Sequence, residues 1–131
     1  MQFRIEDSFD QFATPGVEFS ADGRYLYTND LRSCYQYDTK EEEVFSSRQL
    51  VMEWDSSAFY EPTGTVKFES LFGLSRRGPD NKIYIANAGG NSRLHVIHEP
   101  NKEAALCRPE QNAITLPTRV RGTVPTFPPS V

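Results

Sequence analysis

Short apolar runs separated by turn-forming residues recur along this chain, in a pattern typical of β-strands. The segment Val17–Asp30 (VEFSADGRYLYTND) contains two such runs around an Asp-Gly turn. A third run, SCYQYD, ends at Asp38, and VFSSRQLVMEW offers a fourth. Four runs joined by tight turns predict an up-and-down antiparallel sheet.

The same order of strands and turns recurs later in the chain. Asn81–Asn87 lies over Gly23–Asn29, and Arg93–His98 lies over Ser33–Asp38. The second overlay has a slightly larger offset than the first, and the difference falls in a turn, where a repeated structural unit tolerates insertions. The segment CRPEQNAITL provides the last strand of the second unit.

The second strand of each unit is apolar on both faces, at Tyr25–Tyr27 and at Ile83–Ile85. A strand of this kind is covered on both sides, so each sheet is expected to lie between neighbours. A four-stranded meander that repeats in this way predicts a β-propeller. The predicted fold is therefore all-β, with antiparallel four-stranded blades: about two blades and a partial N-terminal strand.

The pattern divides the chain into four segments. Residues 1–15 are expected to form a partial strand of a preceding blade or an N-terminal extension. Residues 16–60 and 61–117 are the two predicted blades, and residues 118–131 are a Pro-rich closing segment. Closed propellers have about four to eight blades. We therefore expect the end of a longer propeller, or a subunit that completes the ring by association.

Six motifs follow one another over about Gly16 to Pro128: GVEFSADGRYLYTND, CYQYDT, GPDNKIYIANAGG, LHVIHEPN, LCRPEQNAITLP and GTVPTFPP. This ordered set resembles the last blades of bacterial propeller-like repeat proteins, of the WD-like or YVTN-like kind. Such blades occur in surface and secreted proteins of Bacteroidetes-type bacteria, ahead of gliding-motility or secretion-sorting C-terminal domains. Ala21, Asn81 and the end FPPSV depart from the family pattern. The resemblance implies an extracellular or cell-surface location.

Charge and hydropathy exclude two classes of partner. The chain of 131 residues has a formal net charge of −4, and its largest basic cluster is the pair Arg76-Arg77. A nucleic-acid surface needs a concentrated basic patch, so nucleic acid is not expected. No apolar run approaches the roughly 18 residues that span a bilayer, so membrane insertion is not expected. The N-terminus, MQFRIEDSFDQF, lacks a signal-peptide pattern.

Candidates for catalysis or metal binding are sparse. His95 and His98 point to opposite faces of one strand, so a structural role for each is expected. Asp22 and Asp80 are expected to accept turn N–H groups. The innermost strands, GVEFS and LFGLS, offer only Glu18 to a metal in a central channel. No catalytic residue, metal site or cofactor is therefore predicted, and the ligand-binding residues stay unassigned.

Two cysteines, Cys34 and Cys107, are too few for a disulfide framework and lack metal-ligand spacing. Two buried, reduced thiols are expected, with one disulfide as the alternative in an exported protein. Strand aromatics are usually core residues, but six are also candidates for a sugar-binding platform: Tyr35, Tyr37, Trp54, Phe59, Tyr60 and Phe72.

The predicted function is a non-enzymatic propeller module that serves as a protein-interaction or structural platform. Its loops YEPTGTVKFES and NAGGNS would be displayed to a protein partner. The missing blades of the same propeller, or further copies in a homo-oligomer, would complete the ring. A glycan-binding propeller lectin and a fragment of a propeller hydrolase or lactonase with a channel metal are the alternatives.

Overall fold

The computed structural model describes residues 16–60, 67–88 and 93–116. Its first sheet has the order β1 (Gly16–Phe19), β2 (Tyr25–Asn29), β3 (Ser33–Asp38) and β4 (Gln49–Glu53). Next along the chain, β5 (Ala58–Tyr60) and β6 (Lys67–Glu69) form a two-stranded sheet. The second large sheet consists of β7 (Phe72–Arg77), β8 (Ile83–Asn87), β9 (Arg93–Ile97) and β10 (Pro109–Thr115). The all-β prediction is confirmed, with two four-stranded antiparallel sheets, neither of which closes.

Two local predictions are wrong. Only the second half of VFSSRQLVMEW is extended, because Phe45–Ser47 forms a 3₁₀ turn. Ser47 stabilises this turn, since its hydroxyl donates to the Val44 carbonyl at 2.5 Å and accepts the Asp38 N–H at 2.8 Å. The ends of the segment YEPTGTVKFES, expected to be a loop, belong to the strands β5 and β6, and its middle, residues 61–66, lies outside the described residues. The predicted N-terminal strand, the closing segment 118–131 and most of NAGGNS lie outside the described residues.

The first hairpin of each large sheet is closed by an aspartate, as predicted. Asp22 Oδ1 and Asp80 Oδ1 each accept the N–H of the residue two positions later, at 3.1 Å in both turns. The residue after the aspartate has a left-handed backbone, with φ of 74° at Gly23 and 67° at Asn81. Glycine and asparagine are the residues that adopt this conformation most readily.

The two hairpins differ in length by one residue. In the first, the Ser20 N–H donates to the Tyr25 carbonyl at 2.8 Å. In the second, the Gly78 N–H donates to the Lys82 carbonyl at 2.9 Å. Ser20 and Gly78 are equivalent at the offset of the sequence overlay, but the residues whose carbonyls they bond to, Tyr25 and Lys82, are not.

Strand pairing gives the equivalent positions directly. Leu26 pairs with Tyr37 in the first sheet, and Ile83 pairs with Ile97 in the second. Ile97 is also the residue that the sequence overlay places on Tyr37, whereas the overlay places Tyr84, the neighbour of Ile83, on Leu26. Because neighbouring residues of a strand face opposite sides, this change of one position exchanges the faces of β8 relative to the overlay.

A break in the pairing of the last two strands supports the same alignment. The register of β3 against β4 shifts directly after Cys34. In the second sheet, the register of β9 against β10 shifts directly after Leu94, the residue that the sequence overlay places on Cys34. The two sheets therefore align strand by strand and break register at the same point of the third strand, although β4 has one extra residue there and β10 has two. The register break between β7 and β8 has no counterpart between β1 and β2.

The sheets stack through one buried apolar cluster, called the core interface below. The first sheet contributes Tyr25, Tyr27, Cys34 and Met52. The second sheet contributes Phe72, Ile83, Ile85 and Ile97, and the loop after β9 adds Cys107. Every residue of β2 and β8 is buried, as their apolar character on both faces predicts.

The first strands of the two sheets, β1 and β7, lie side by side. Asn29 joins them: its Oδ1 accepts the Gly16 N–H at 3.2 Å, and its Nδ2 donates to Ser75 Oγ at 3.1 Å. A Cβ at Gly16 would collide with the Gly73 carbonyl oxygen on β7 and with the Asn29 side chain. Glycine is therefore required where the two backbones approach.

Gly16→Ala is expected to lower the free energy of unfolding by about 1–3 kcal/mol, because the added methyl must displace β7 backbone. Denaturant unfolding followed by Trp54 fluorescence measures this change. Gly23→Asn is the control, since nothing lies within 4 Å of the place of its side chain, and Asn81 already has this backbone conformation. The control should stay within about 0.5 kcal/mol of the original protein. Equal effects of both substitutions would contradict the steric account.

Candidate functional site

Glu18 is the carboxylate that the first strands offer, and both of its oxygens accept backbone N–H groups. Oε1 accepts the Phe19 N–H at 2.9 Å, and Oε2 accepts the Arg77 N–H at 3.1 Å. Arg77 Nη1 in turn donates to the Phe19 carbonyl at 3.2 Å. Glu18 therefore links β1 to β7. Within the described ranges, no group of three or more His, Cys, Asp or Glu residues could hold a metal ion.

The two histidines have different structural roles. His95 is fully buried, whereas His98 is partly exposed just after β9. His98 Nδ1 accepts a hydrogen bond from Lys82 Nζ at 3.1 Å, and its Nε2 donates to Glu110 Oε1 at 2.8 Å. These contacts connect the end of β9 to the start of β10 and to the turn between β7 and β8.

The imidazole of His95 is enclosed by the second sheet. The ring of Phe72 packs edge-on against it, with 4.8 Å between ring centroids. Nδ1 accepts the Asn112 N–H at 3.1 Å, so the neutral ring has its proton on Nε2. Burial lowers the pKa of His95 to about 4. His95 therefore supports the irregular segment of β10, where Asn112 has a φ of 54°.

A buried polar network links the first sheet to the loop between β9 and β10. The Tyr27 hydroxyl donates to the Pro100 carbonyl at 2.8 Å and accepts from Gln36 Nε2 at 2.7 Å. Gln36 Nε2 also donates to the Lys102 carbonyl at 2.8 Å. Burial raises the pKa of Tyr27, so its hydroxyl stays protonated. The network binds a segment of the second unit to the first.

Cys34 and Cys107 are free thiols, and both are fully buried. The prediction of two buried, reduced thiols is confirmed. Burial raises the pKa of both thiols, and Cys107 Sγ donates to the Ala104 carbonyl at 3.4 Å. Because the thiolate is the reactive and metal-binding form, neither cysteine is suited to either role in the folded protein.

A cleft of about 620 Å³ opens beside the first sheet. Arg24 and Asp38 form a two-point ion pair in its wall, with Nε to Oδ1 at 3.2 Å and Nη2 to Oδ2 at 3.0 Å. Hydrogen bonding from Arg24 lowers the pKa of Asp38. Glu41–Glu43 and Glu103 line the cleft and are exposed. The charged segment Glu41–Glu43 is therefore a solvated turn after β3.

The aromatic side chains proposed for a sugar platform are distributed between the core and the surface. Tyr37 and Phe72 are fully buried. Trp54 packs against the core interface, and its indole N–H donates to the Ser57 carbonyl at 3.0 Å. Tyr35 is partly buried beneath the Arg48 guanidinium, which lies 4.5 Å from the ring centroid. The side chains of residues 59 and 60 lie outside the described part.

One face of the first sheet, pointing away from the core interface, has exposed apolar side chains. We call it the first outer face; its exposed members are Phe19 (45%), Leu50 (50%) and Phe45 (40%). Phe19 pairs with Leu26, and Leu50 pairs with Tyr35, so all four share this face. Phe45 packs edge-on against Tyr37, with 5.9 Å between ring centroids. Clustered exposed apolar residues of this kind are typical of interaction surfaces.

The chain matches no family model, and neither a curated protein nor a solved structure is significantly similar to it. In the part of the chain that the structure describes, no helix is both long and apolar enough to cross a membrane. The family resemblance of the motifs stays a prediction. The geometry of the two sheets is therefore the basis for any proposal of function.

Tyr27→Phe is expected to lower the free energy of unfolding by about 1–3 kcal/mol, because it leaves the buried Pro100 carbonyl without its donor and removes one of the two hydrogen bonds of Gln36 Nε2. Tyr25→Phe is the matched control on the same face of the same strand, since its hydroxyl bonds to no described residue. Urea unfolding measures both. An unchanged free energy of unfolding in the Tyr27→Phe protein would show that the network does not stabilise the loop.

Stability should fall as the pH decreases from 7.5 to 4.5. The unfolded chain protonates His95 near its ordinary pKa of 6.5, whereas the folded protein resists protonation down to about 4. Over this interval the loss from His95 is about 2–3 kcal/mol. Urea midpoints at the two pH values measure it. The His98→Gln protein should lose as much stability between the two pH values as the original protein, whereas the His95→Gln protein should lose much less. An equal loss in His95→Gln would show that His95 does not cause the pH dependence.

Proposed function

We propose that this chain is a non-enzymatic β-propeller module that acts as a protein-interaction or structural platform in an exported or cell-surface protein. The main support is the stacking of two four-stranded antiparallel meanders whose first strands, β1 and β7, lie side by side. Propeller blades are four-stranded sheets arranged around a central channel. In such an arrangement the innermost strands of successive blades are neighbours, as β1 and β7 are.

The sides on which equivalent residues of the two sheets lie also support a propeller. Ile83 belongs to the core interface, whereas its equivalent, Leu26, points away from it. Equivalent residues thus lie on opposite sides of the two sheets. Blades around an axis require this, since each blade has one neighbour before it and one after it. A two-fold sandwich would instead place equivalent residues on facing sides.

The contacts of the reactive side chains favour a platform over an enzyme. Glu18 bonds to two backbone N–H groups, and Asp38 is paired with Arg24. His95, Cys34 and Cys107 are enclosed in the protein interior. The accessible features are the first outer face and the loops, which is where binding residues of a rigid scaffold are usually found.

Activity and binding assays on one preparation test this proposal. Ester, lactone and glycoside substrates are incubated with the protein, with and without Ca²⁺, Mg²⁺ and Zn²⁺, and a glycan array is probed in parallel. We expect neither turnover nor glycan binding. Metal-dependent turnover would identify a hydrolase and overturn the proposal. Glycan binding that Trp54→Ala abolishes would identify a lectin instead.

An experimental structure of the longest expressed form tests the architecture separately. We expect β1 and β7 to line a common axis with the first strands of further sheets. A closed two-layer sandwich of the two large sheets would contradict the propeller.

A further inference from the structure

The cleft beside the first sheet lies where the two units meet. Its lining comes from the end of β3, the start of β4 and the connection between these strands, residues 39–48. The loop between β9 and β10 adds Glu103. Two hydrogen bonds fix this loop beside the first sheet: Gln36 Nε2 donates to the Lys102 carbonyl at 2.8 Å, and the Asp22 N–H donates to Asn101 Oδ1 at 3.2 Å. The cleft is therefore a feature of the assembled units.

Carboxylates dominate the charge of this cleft. Asp38 is paired with Arg24, and the other guanidinium of the lining, that of Arg48, lies over the Tyr35 ring. In the part of the chain that the structure describes, four further carboxylates of the lining have no ion-pair partner: Glu41, Glu42, Glu43 and Glu103. The cleft thus has an excess of negative charge, which raises the local concentration of cations.

A buried amide adds a directed hydrogen-bond acceptor to this charge. Gln36 is only 3% exposed, and its Nε2 donates to the Tyr27 hydroxyl and the Lys102 carbonyl. No described residue donates to Gln36 Oε1, which is not enclosed and therefore opens to the cleft that Gln36 lines. Because the protein already uses the amide nitrogen, Gln36 presents only an acceptor to the cleft. A ligand at this position must supply a donor.

Gln49 lies next to this acceptor and extends it toward the surface. It pairs with Gln36 across β3 and β4, and directly paired residues of neighbouring strands share one face of the sheet. The Gln49 side chain is exposed, lines the cleft and makes no hydrogen bond with a described residue. Its amide is free to turn a second carbonyl oxygen toward the same ligand.

This arrangement favours an organic cation over a metal ion. Across the described ranges, no three His, Cys, Asp or Glu residues are grouped closely enough to hold a metal. Dispersed carboxylates with neutral acceptors between them instead suit a ligand whose N–H donors are spread along its length. The cleft volume of about 620 Å³ is typical of sites that enclose one ligand.

We propose that the cleft binds the lysine or arginine side chains of an extended segment of a protein partner. One basic side chain donates to Gln36 Oε1, and others pair with the exposed carboxylates of Glu41–Glu43 and Glu103. This inference rests on the platform proposal, because it assigns a binding site to the platform and names the chemistry of its partner.

Fluorescence anisotropy of labelled peptides tests binding to the full chain. The probes are peptides of about five residues that alternate glycine with arginine, with lysine or with glutamate. We expect both basic peptides to bind, with an affinity that falls as the salt concentration rises, and the glutamate peptide not to bind. A protein that binds neither basic peptide at about 1 mM, or that binds the glutamate peptide equally well, would overturn the inference.

Gln49→Lys tests the location of the site, since it places an ammonium group beside Gln36 Oε1. Leu50→Lys is the matched control: it adds the same charge at the next residue of β4, which faces the other side of the sheet and is 50% exposed. Gln49→Lys should weaken binding of the arginine peptide at least about tenfold, and Leu50→Lys less than about twofold. Equal losses would show that only the net charge matters and would overturn the site.

A second variant removes charge and keeps the shape of the cleft: Glu41→Gln, Glu42→Gln and Glu43→Gln together. Because each exposed charge contributes a factor of about two to five, the triple variant should bind the arginine peptide about tenfold more weakly. An unchanged affinity would contradict the proposal. The substituted residues are all exposed, so these variants should unfold at the same urea concentration as the original protein.

Competition with spermidine distinguishes a peptide segment from a free polyamine. Spermidine should displace the arginine peptide only weakly; equal affinity would identify a polyamine site and overturn the assignment to a protein partner. None of these results affects the substrate panel or the arrangement of β1 and β7. Metal-dependent turnover would overturn the platform function without abolishing peptide binding, so the two failures are distinguishable.

Discussion

The apolar interface between the two four-stranded sheets is the interaction on which the rest of the structure depends. Strands as short as these make sheets too small to enclose a core by themselves. Apolar side chains such as Tyr25 and Ile85 leave water only where one sheet covers the other. The requirement for close approach then explains Gly16, whose missing side chain allows β1 to lie against β7. It also explains Asn29, whose amide bonds to both strands at their junction.

Burial also determines what the polar residues do. A buried polar group must find a hydrogen-bond partner inside the protein, and here those partners connect separate elements. Gln36 and Tyr27 bond to carbonyls of the loop after β9, and His95 bonds to the backbone of β10. Residue types that are common in active sites are thus committed to holding the sheets together. Under the proposed platform function, a partner would bind to surfaces that the core does not use.

The strands could largely be predicted because their apolar runs and turn residues are local signals. The 3₁₀ turn at Phe45–Ser47 could not, since it depends on a serine that bonds to a neighbouring strand. The sequence overlay could not predict which face each β8 side chain occupies. The first hairpin of the second sheet is shorter by one residue, and this reverses the faces of the β8 side chains relative to the overlay. The exposed Phe19 and Leu50 lie in apolar runs that resemble core strands, so sequence alone could not identify the first outer face as a candidate site. The partner of His95 depends on an irregular strand with a left-handed Asn112.

The two cysteines have a consequence for measuring how this protein opens. Cys34 comes from the first sheet and Cys107 from the loop of the second unit, and both thiols are sealed in the same core interface. An alkylating reagent can reach them only when the sheets separate or the loop detaches. Their rate of modification under native conditions therefore reports the free energy of that partial opening. The two thiols thus report the opening motion that would have to occur before one stacked sheet could be replaced by another.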